Sequence, residues 1–183
     1  SIPVPPAPDG QPLGWEGMPL VDRDAHGNAI RIAQTGQTLE GAKPHWTIHN
    51  YIRWSEDGGR SWSEPSVLEY SRQVYERDEE HSAMCEKALL AEDGGILLFN
   101  LECRGKSWQP LAVPTYLRST DQGVSWEPAR VLGEEAARIW DVVHHEGEIL
   151  VLELTPTDDQ PESWNGVMSS WHGGVRDLSQ AKF

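Results

Sequence analysis

Two stretches of the chain carry the same eight-residue pattern. Ser55-Glu56-Asp57-Gly58-Gly59-Arg60-Ser61-Trp62 and Ser119-Thr120-Asp121-Gln122-Gly123-Val124-Ser125-Trp126 both read S-x-D-x-G-x-S-W, and each is followed by a Glu and a Pro (Glu64-Pro65, Glu127-Pro128) and a short apolar run. The residue types suit a tight β-turn. A carboxylate at the third position accepts backbone N–H groups of the turn behind it. A Gly at the fifth adopts the positive φ that a side chain resists, and a Trp at the eighth offers a large apolar plate to bury beneath the turn. A corner of this kind stamped twice in one chain marks a repeat of stacked supersecondary units.

The surroundings of the two corners repeat as well. Residues 1–14 carry five prolines and no periodicity, so they read as a linker or extended lead-in rather than a central strand. From 15 onward the same unit is expected three times, over about 15–70, 82–132 and 138–183. The first unit has an apolar run at Met18–Val21, a turn at Asp24-Ala25-His26-Gly27, a strand at Ala29–Ala33 and a loop over Gln34–Trp46. Its third strand is Thr47–Trp54 and its fourth Pro65–Tyr70. The second unit runs Ala83–Ala91, the turn Asp93-Gly94-Gly95, Ile96–Cys103, a loop, Val113–Arg118 and Ala129–Leu132. The third runs Arg138–His144, the turn Glu146-Gly147, Glu148–Leu154, a loop and Gly166–Ser169. A degraded corner is expected after it, with Ser170 and Gly174 in place but His172 and Asp177 where the Asp and Trp belong. Short strands in fours, punctuated by Gly turns, predict an all-β propeller.

Composition removes several function classes. A formal charge of -14 repels nucleic-acid phosphates. A mean hydropathy of -0.55 and the absence of any long apolar run argue against a membrane-spanning helix. His144-His145 lacks partners at metal-ligand spacing and reads as surface, so no metal is expected. The chain does not begin with Met and shows no secretory signal, so it reads as a processed form or a fragment.

The two octapeptides resemble Asp-boxes, the repeat of sialidases and many other β-propeller proteins. The resemblance implies a six-bladed propeller of sialidase type with about three blades in this chain. An open stack of three leaves sheet edges unpaired, so the ring would be closed by blades from the rest of a longer chain or by a second copy as a homodimer. It also implies an exo-sialidase type of glycoside hydrolase, acting on glycans bearing sialic acid or a related acidic sugar, secreted or periplasmic, with no organic cofactor. In that family the corners lie on the face away from the site. The opposite face here gathers the entry segments Tyr70–Ser82 and Glu134–Arg138 and the loops Gln34–Trp46, Arg104–Ala112 and Thr155–Trp164.

Blade two matches the family's framework through Ala88-Leu89-Leu90, Asp93-Gly94-Gly95, Ile96-Leu97-Leu98-Phe99 and Glu102-Cys103-Arg104, which falls on its E-x-R. The resemblance therefore implies Glu102 and Arg104 as catalytic residues, with Arg104 and Arg138 gripping a sugar carboxylate and Glu102 orienting them. A planar guanidinium suits that task. His81, Glu86 and Trp108 complete the expected substrate-binding set, with Trp108 as a sugar platform beside Trp46 and Trp164 at like places in the repeat. The sequence departs from the family where Cys85 takes the Arg position of R-I-P and where no acid follows Arg104 before Ala112. That departure favours a second reading, a non-catalytic propeller that binds glycans or a protein partner. The charged run before blade two is either part of the site or a solvated face.

One expectation rests on turn geometry alone. A three-residue loop at Asp93-Gly94-Gly95 sets Cys85 opposite Cys103 and Glu86 opposite Glu102. The cysteines would form a strained cross-strand disulfide or stay as packed thiols. The glutamates would need a cation, with Arg104, Arg138 or Lys87 at hand, unless a register slip separates them.

Overall fold

The computed structural model describes residues 20–23, 29–42, 45–70, 73–74, 81–91, 93–104, 112–121, 123–133, 135–157 and 166–183, with the backbone alone at 20–49, 81, 82 and 104. Among the described residues, eleven strands build three antiparallel sheets, each a meander in chain order. The first holds β1 (Leu20–Arg23), β2 (Ala29–Ala42), β3 (His45–Ser55) and β4 (Ser66–Val67). The second holds β5 (His81–Leu90), β6 (Ile96–Arg104), β7 (Val113–Ser119) and β8 (Arg130–Val131). The third holds β9 (Arg138–His145), β10 (Glu148–Pro156) and β11 (Gly166–Gly173).

The second sheet lies between the other two, which explains its sequence. Along β6, Ile96 and Leu98 pack with Ile52, Leu68 and Tyr70 of the first unit, while Leu97 and Phe99 pack with Ile139, Val142, Ile149 and Val151 of the third. A strand buried on both faces loses the apolar–polar alternation and reads as one apolar run. β9 is covered on one face only, so Ile139 and Val142 are buried while Trp140 and Val143 are exposed.

Four expectations are corrected by the backbone. Gln34–Trp46 is no loop: its residues through Ala42 and from His45 pair in a long ladder from Ala42↔His45 to Ile32↔Ser55. A polar sequence tolerates an extended pair whose hydrogen bonds are supplied by the backbone. The expected fourth strands shrink to the pairs Ser66–Val67 and Arg130–Val131. The turn Asp24–Gly27 and the lead-in fall outside the described residues.

The third correction concerns register. The β5–β6 hairpin closes between Ala91 and Gly95, whose N–H and C=O bond at 2.7 Å, with Gly94 at φ 79 at the end of the loop. The loop thus starts one residue earlier than expected, in the form that ends on a left-handed glycine. A bulge between Cys85 and Lys87 then shifts the pairing again, so Cys85 faces Asn100, Ala83 faces Glu102 and Ser82 faces Cys103. The two cysteines are free and buried. They lie on opposite sides of the sheet, Cys85 with Ile52 and Leu98 and Cys103 with Leu101 and Ala112. Glu86 and Glu102 are not a facing pair.

The fourth concerns the degraded corner, which does not form. Ser170 and His172 stay inside β11, paired with Leu152 and Leu150. Gly173 faces Ile149 as Ser119 faces Ile96, so a corner here would start at Gly173 and would need its Asp at Val175. Lacking those groups, the chain forms a 3-10 turn over Val175–Gln180 that buries Leu178 between the second and third sheets.

Candidate functional site

The corners occupy one end of the sheets, with the β5–β6 and β9–β10 hairpins. In the first, Gly59 N–H donates to Ser55 Oγ at 2.7 Å, and the N–H groups of Arg60 and Ser61 both donate to Asp57 Oδ1 at 2.9 Å. Ser61 Oγ donates to Asp57 Oδ2 at 2.7 Å. The second repeats this, with Gly123 N–H on Ser119 Oγ at 2.8 Å and Ser125 N–H on Asp121 Oδ1 at 2.9 Å. Gly59 and Gly123 both sit at φ 85. These hydrogen bonds, those from the Ser61 and Ser125 side chains above all, hold the Asp57 and Asp121 carboxyls down at about 2. Trp62 is half-buried, its indole N–H on Gly59 O and its ring under the Arg53 guanidinium at 4.4 Å.

Buried polar groups collect toward the other end and deeper in the sheets. At the end itself, His81 and Arg104 are directly paired across β5 and β6. Glu102, on the β6 face turned to the first sheet, accepts a hydrogen bond from the Tyr70 hydroxyl at 2.8 Å. The Tyr70 oxygen lies 3.0 Å from Thr115 Oγ1, and with the phenol proton already committed, Thr115 is the donor there. Tyr70, Glu102 and Thr115 are all buried, and sequence reasoning missed Tyr70 and Thr115 because no local pattern marks either.

Asn50 was missed for the same reason. Its amide works as a short piece of strand: Nδ2 donates to Ala83 O, and Oδ1 accepts Cys85 N–H at 2.9 Å. Two backbone groups of β5 are satisfied from the first sheet, just before the bulge.

The bulge aims Glu86 at the third sheet. Both its oxygens are engaged by Arg138, the first residue of β9: Nε donates to Oε2 at 3.0 Å and Nη2 to Oε1. Glu86 is 7% exposed and Arg138 18%. Burial pushes the Glu86 carboxyl up from its ordinary value, opposed by the charge and hydrogen bonds of Arg138 and then by Lys87. Of the expected site residues, the structure therefore joins Glu86 to Arg138, sets the backbones of His81 and Arg104 opposite one another, and places Glu102 against Tyr70. Trp46 has only its backbone described, in β3, while Trp108 and Trp164 lie outside the described residues. Among the described residues no group of His, Cys, Asp and Glu is arranged to hold a metal ion, and no helix is long and apolar enough to cross a membrane.

No family model matches the sequence, and no curated protein matches it. Solved structures do. A protein of unknown function from Dyadobacter fermentans superposes with a TM-score of 0.63 at 14% identity over 93% of this chain and 41% of its own. The Hadza microbial sialidase Hz136 superposes with a TM-score of 0.59 at 17% identity over 89% of this chain and 32% of its own. The fold is sialidase-like. This chain spans less than half the length of either neighbour.

Proposed function

We propose that the three sheets are blades of a six-bladed, Asp-box propeller that acts on glycans as an exo-sialidase type of glycoside hydrolase. The observation that carries this reading is the division of the molecule between its ends. The carboxylate-pinned corners hold one end, while the buried ionic and hydrogen-bonded groups Glu86–Arg138 and Tyr70–Glu102 lie toward the other. Supporting it is the sialidase-like fold of a chain whose corners are sealed by their own hydrogen bonds. On this reading Arg104 and Arg138 receive the carboxylate of an acidic sugar, His81 flanks Arg104, Trp108 stacks on the sugar ring, and Glu102 with Tyr70 moves a proton. A carboxylate within hydrogen-bond distance of a phenol can take the proton of a nucleophilic hydroxyl. Blades beyond this chain supply the rest of the ring, or a second copy does. No organic cofactor is needed.

A second reading is favoured by Cys85, which is buried at the position where the family's framework has an arginine. It makes the protein a non-catalytic propeller that binds glycans or a protein partner. Turnover of a fluorogenic sialoside by the full-length protein decides between them. Release of the fluorophore that falls at least 100-fold in Arg104→Ala supports the hydrolase. Saturable binding of sialylated glycan without release supports the binding module.

A further inference from the structure

Glu86 and Arg138 form a largely buried ion pair between the second and third sheets, and the fold itself does not call for it. The inner strands of the second and third sheets carry a bulge at the same place. In β5 the extra residue, Glu86, falls where the partner strand passes from Phe99 to Asn100. In β9 it is Trp140, where the partner passes from Leu152 to Glu153. Counted from Ile96 and Ile149, each partner's first inward residue, these are equivalent positions. One sheet fills its bulge with a carboxylate and the next with an indole that is 48% exposed, so the bulge itself does not require a charge. Burying two charges between sheets stabilises a protein no better than well-packed apolar residues do, and such pairs are best attested as devices of register or switching.

We propose that Glu86 and Arg138 are an acid-releasable latch between the second and third sheets, closed when Glu86 is ionised and opened when it takes a proton. The ionised carboxylate engages both the Nε and Nη2 groups of Arg138. A protonated carboxyl has one acceptor face left and a proton that the guanidinium cannot accept, so the fork is lost. Burial already pushes Glu86 toward its neutral form. The charged groups acting on it are Arg138 from β9 and Lys87 from its own strand. Glu102 stands on the other side of β6 with Tyr70, Glu153 of β10 lies against Gly133, and Arg53 and Arg118 are at the corner end with Trp62 and Asp93. Resting on the proposed sugar-carboxylate role of Arg138, the latch would also regulate it: acid removes the Glu86 charge that competes with the ligand for the guanidinium.

The latch is tested without ligand, by NMR of the full chain. The Arg138 Nε–H signal, assigned in the unmodified chain through its own side-chain correlations, is expected to move in one step on acidification, with the same midpoint as the Glu86 side-chain carboxyl. That step is expected to vanish in Glu86→Gln. An Nε–H signal that stays put while Glu86 titrates, or a step retained in Glu86→Gln, overturns the latch. The unmodified chain alone gives the first of these results, so a variant that fails to fold does not spoil the test. A second arm uses N-acetylneuraminic acid as probe. If binding needs the open latch, the apparent affinity tightens about tenfold per pH unit of acidification above the Glu86 midpoint and is pH-independent in Glu86→Gln. A step by NMR with no binding at any pH supports the latch and overturns the sugar-acid reading of Arg138. Binding that keeps its pH dependence in Glu86→Gln overturns the regulatory role.

Discussion

Asp57 and Asp121 are fully solvent-facing, yet each is fixed by several hydrogen bonds to its own turn. Their carboxyls stand at about 2, below the ordinary 3.8, chiefly through the Ser61 and Ser125 hydrogen bonds. A carboxyl depressed on folding contributes stability that is present above its unfolded value and is lost as the pH falls through its folded value. The corners are therefore expected to loosen between about pH 4 and pH 2, read as a falling urea midpoint across that window, and Asp57→Asn should flatten the fall. Glu86 works in the opposite sense. Its carboxyl is raised by burial, so its contribution is complete below the unfolded value and is lost as the pH rises through the folded one. Gly123 makes a different point about the same corner. Its φ is 85, and a Cβ there would come within 2.5 Å of Trp54 Cζ2. The second corner thus docks on the indole that precedes the first, and Gly123→Ala should destabilise by about 2 kcal/mol or more in chemical unfolding. Gly94 has a like φ of 79 but open space around it, so Gly94→Ala should lose only about 1 kcal/mol.

Strands are where the sequence was most and least readable. The second unit was legible almost whole because three of its signals agree: an apolar run, a Gly turn, and a pinned corner ending β7. The first unit misled because Gln34–Ala42 has no apolar stripe and carries Gly36 and Gly41, and long polar hairpins with glycines look like loops. Register failed for a subtler cause. Asp93-Gly94-Gly95 offers two glycines, and only the backbone decides which takes the left-handed place. The bulge at Glu86 has no residue signature at all, yet it decides that Glu86 meets Arg138 instead of Glu102. Asn50 shows what such irregularities need around them. Its amide satisfies Ala83 O and Cys85 N–H beside the bulge, and Asn50→Leu would leave two buried backbone groups unpaired. Each lost partner costs about 1–3 kcal/mol, so a loss of about 2–6 kcal/mol is expected in urea unfolding, with β5 amides exchanging fastest by hydrogen exchange.

For the whole molecule, the layering of the sheets ties fold to proposed function. The second sheet is apolar toward both neighbours, and the third turns Ile149 and Val151 to it while leaving Val143, Leu150 and Met168 on its far face 37–48% exposed. Val143 faces Leu150 across β9 and β10, and Leu154 faces Met168 across β10 and β11, so these residues share that face. On the six-bladed reading the next blade packs there, as the third packs on the second, and the chain's span of 41% and 32% of its structural neighbours leaves room for it. Leu150→Asp distinguishes a covered face from a wet one. In the 183-residue chain the substitution faces water and should shift the thermal midpoint little. In a longer protein with the ring closed it would bury an unpaired charge and cost about 3 kcal/mol or more. Equal tolerance in both lengths would mean that this face stays in water, and the blade arrangement proposed for it would fail.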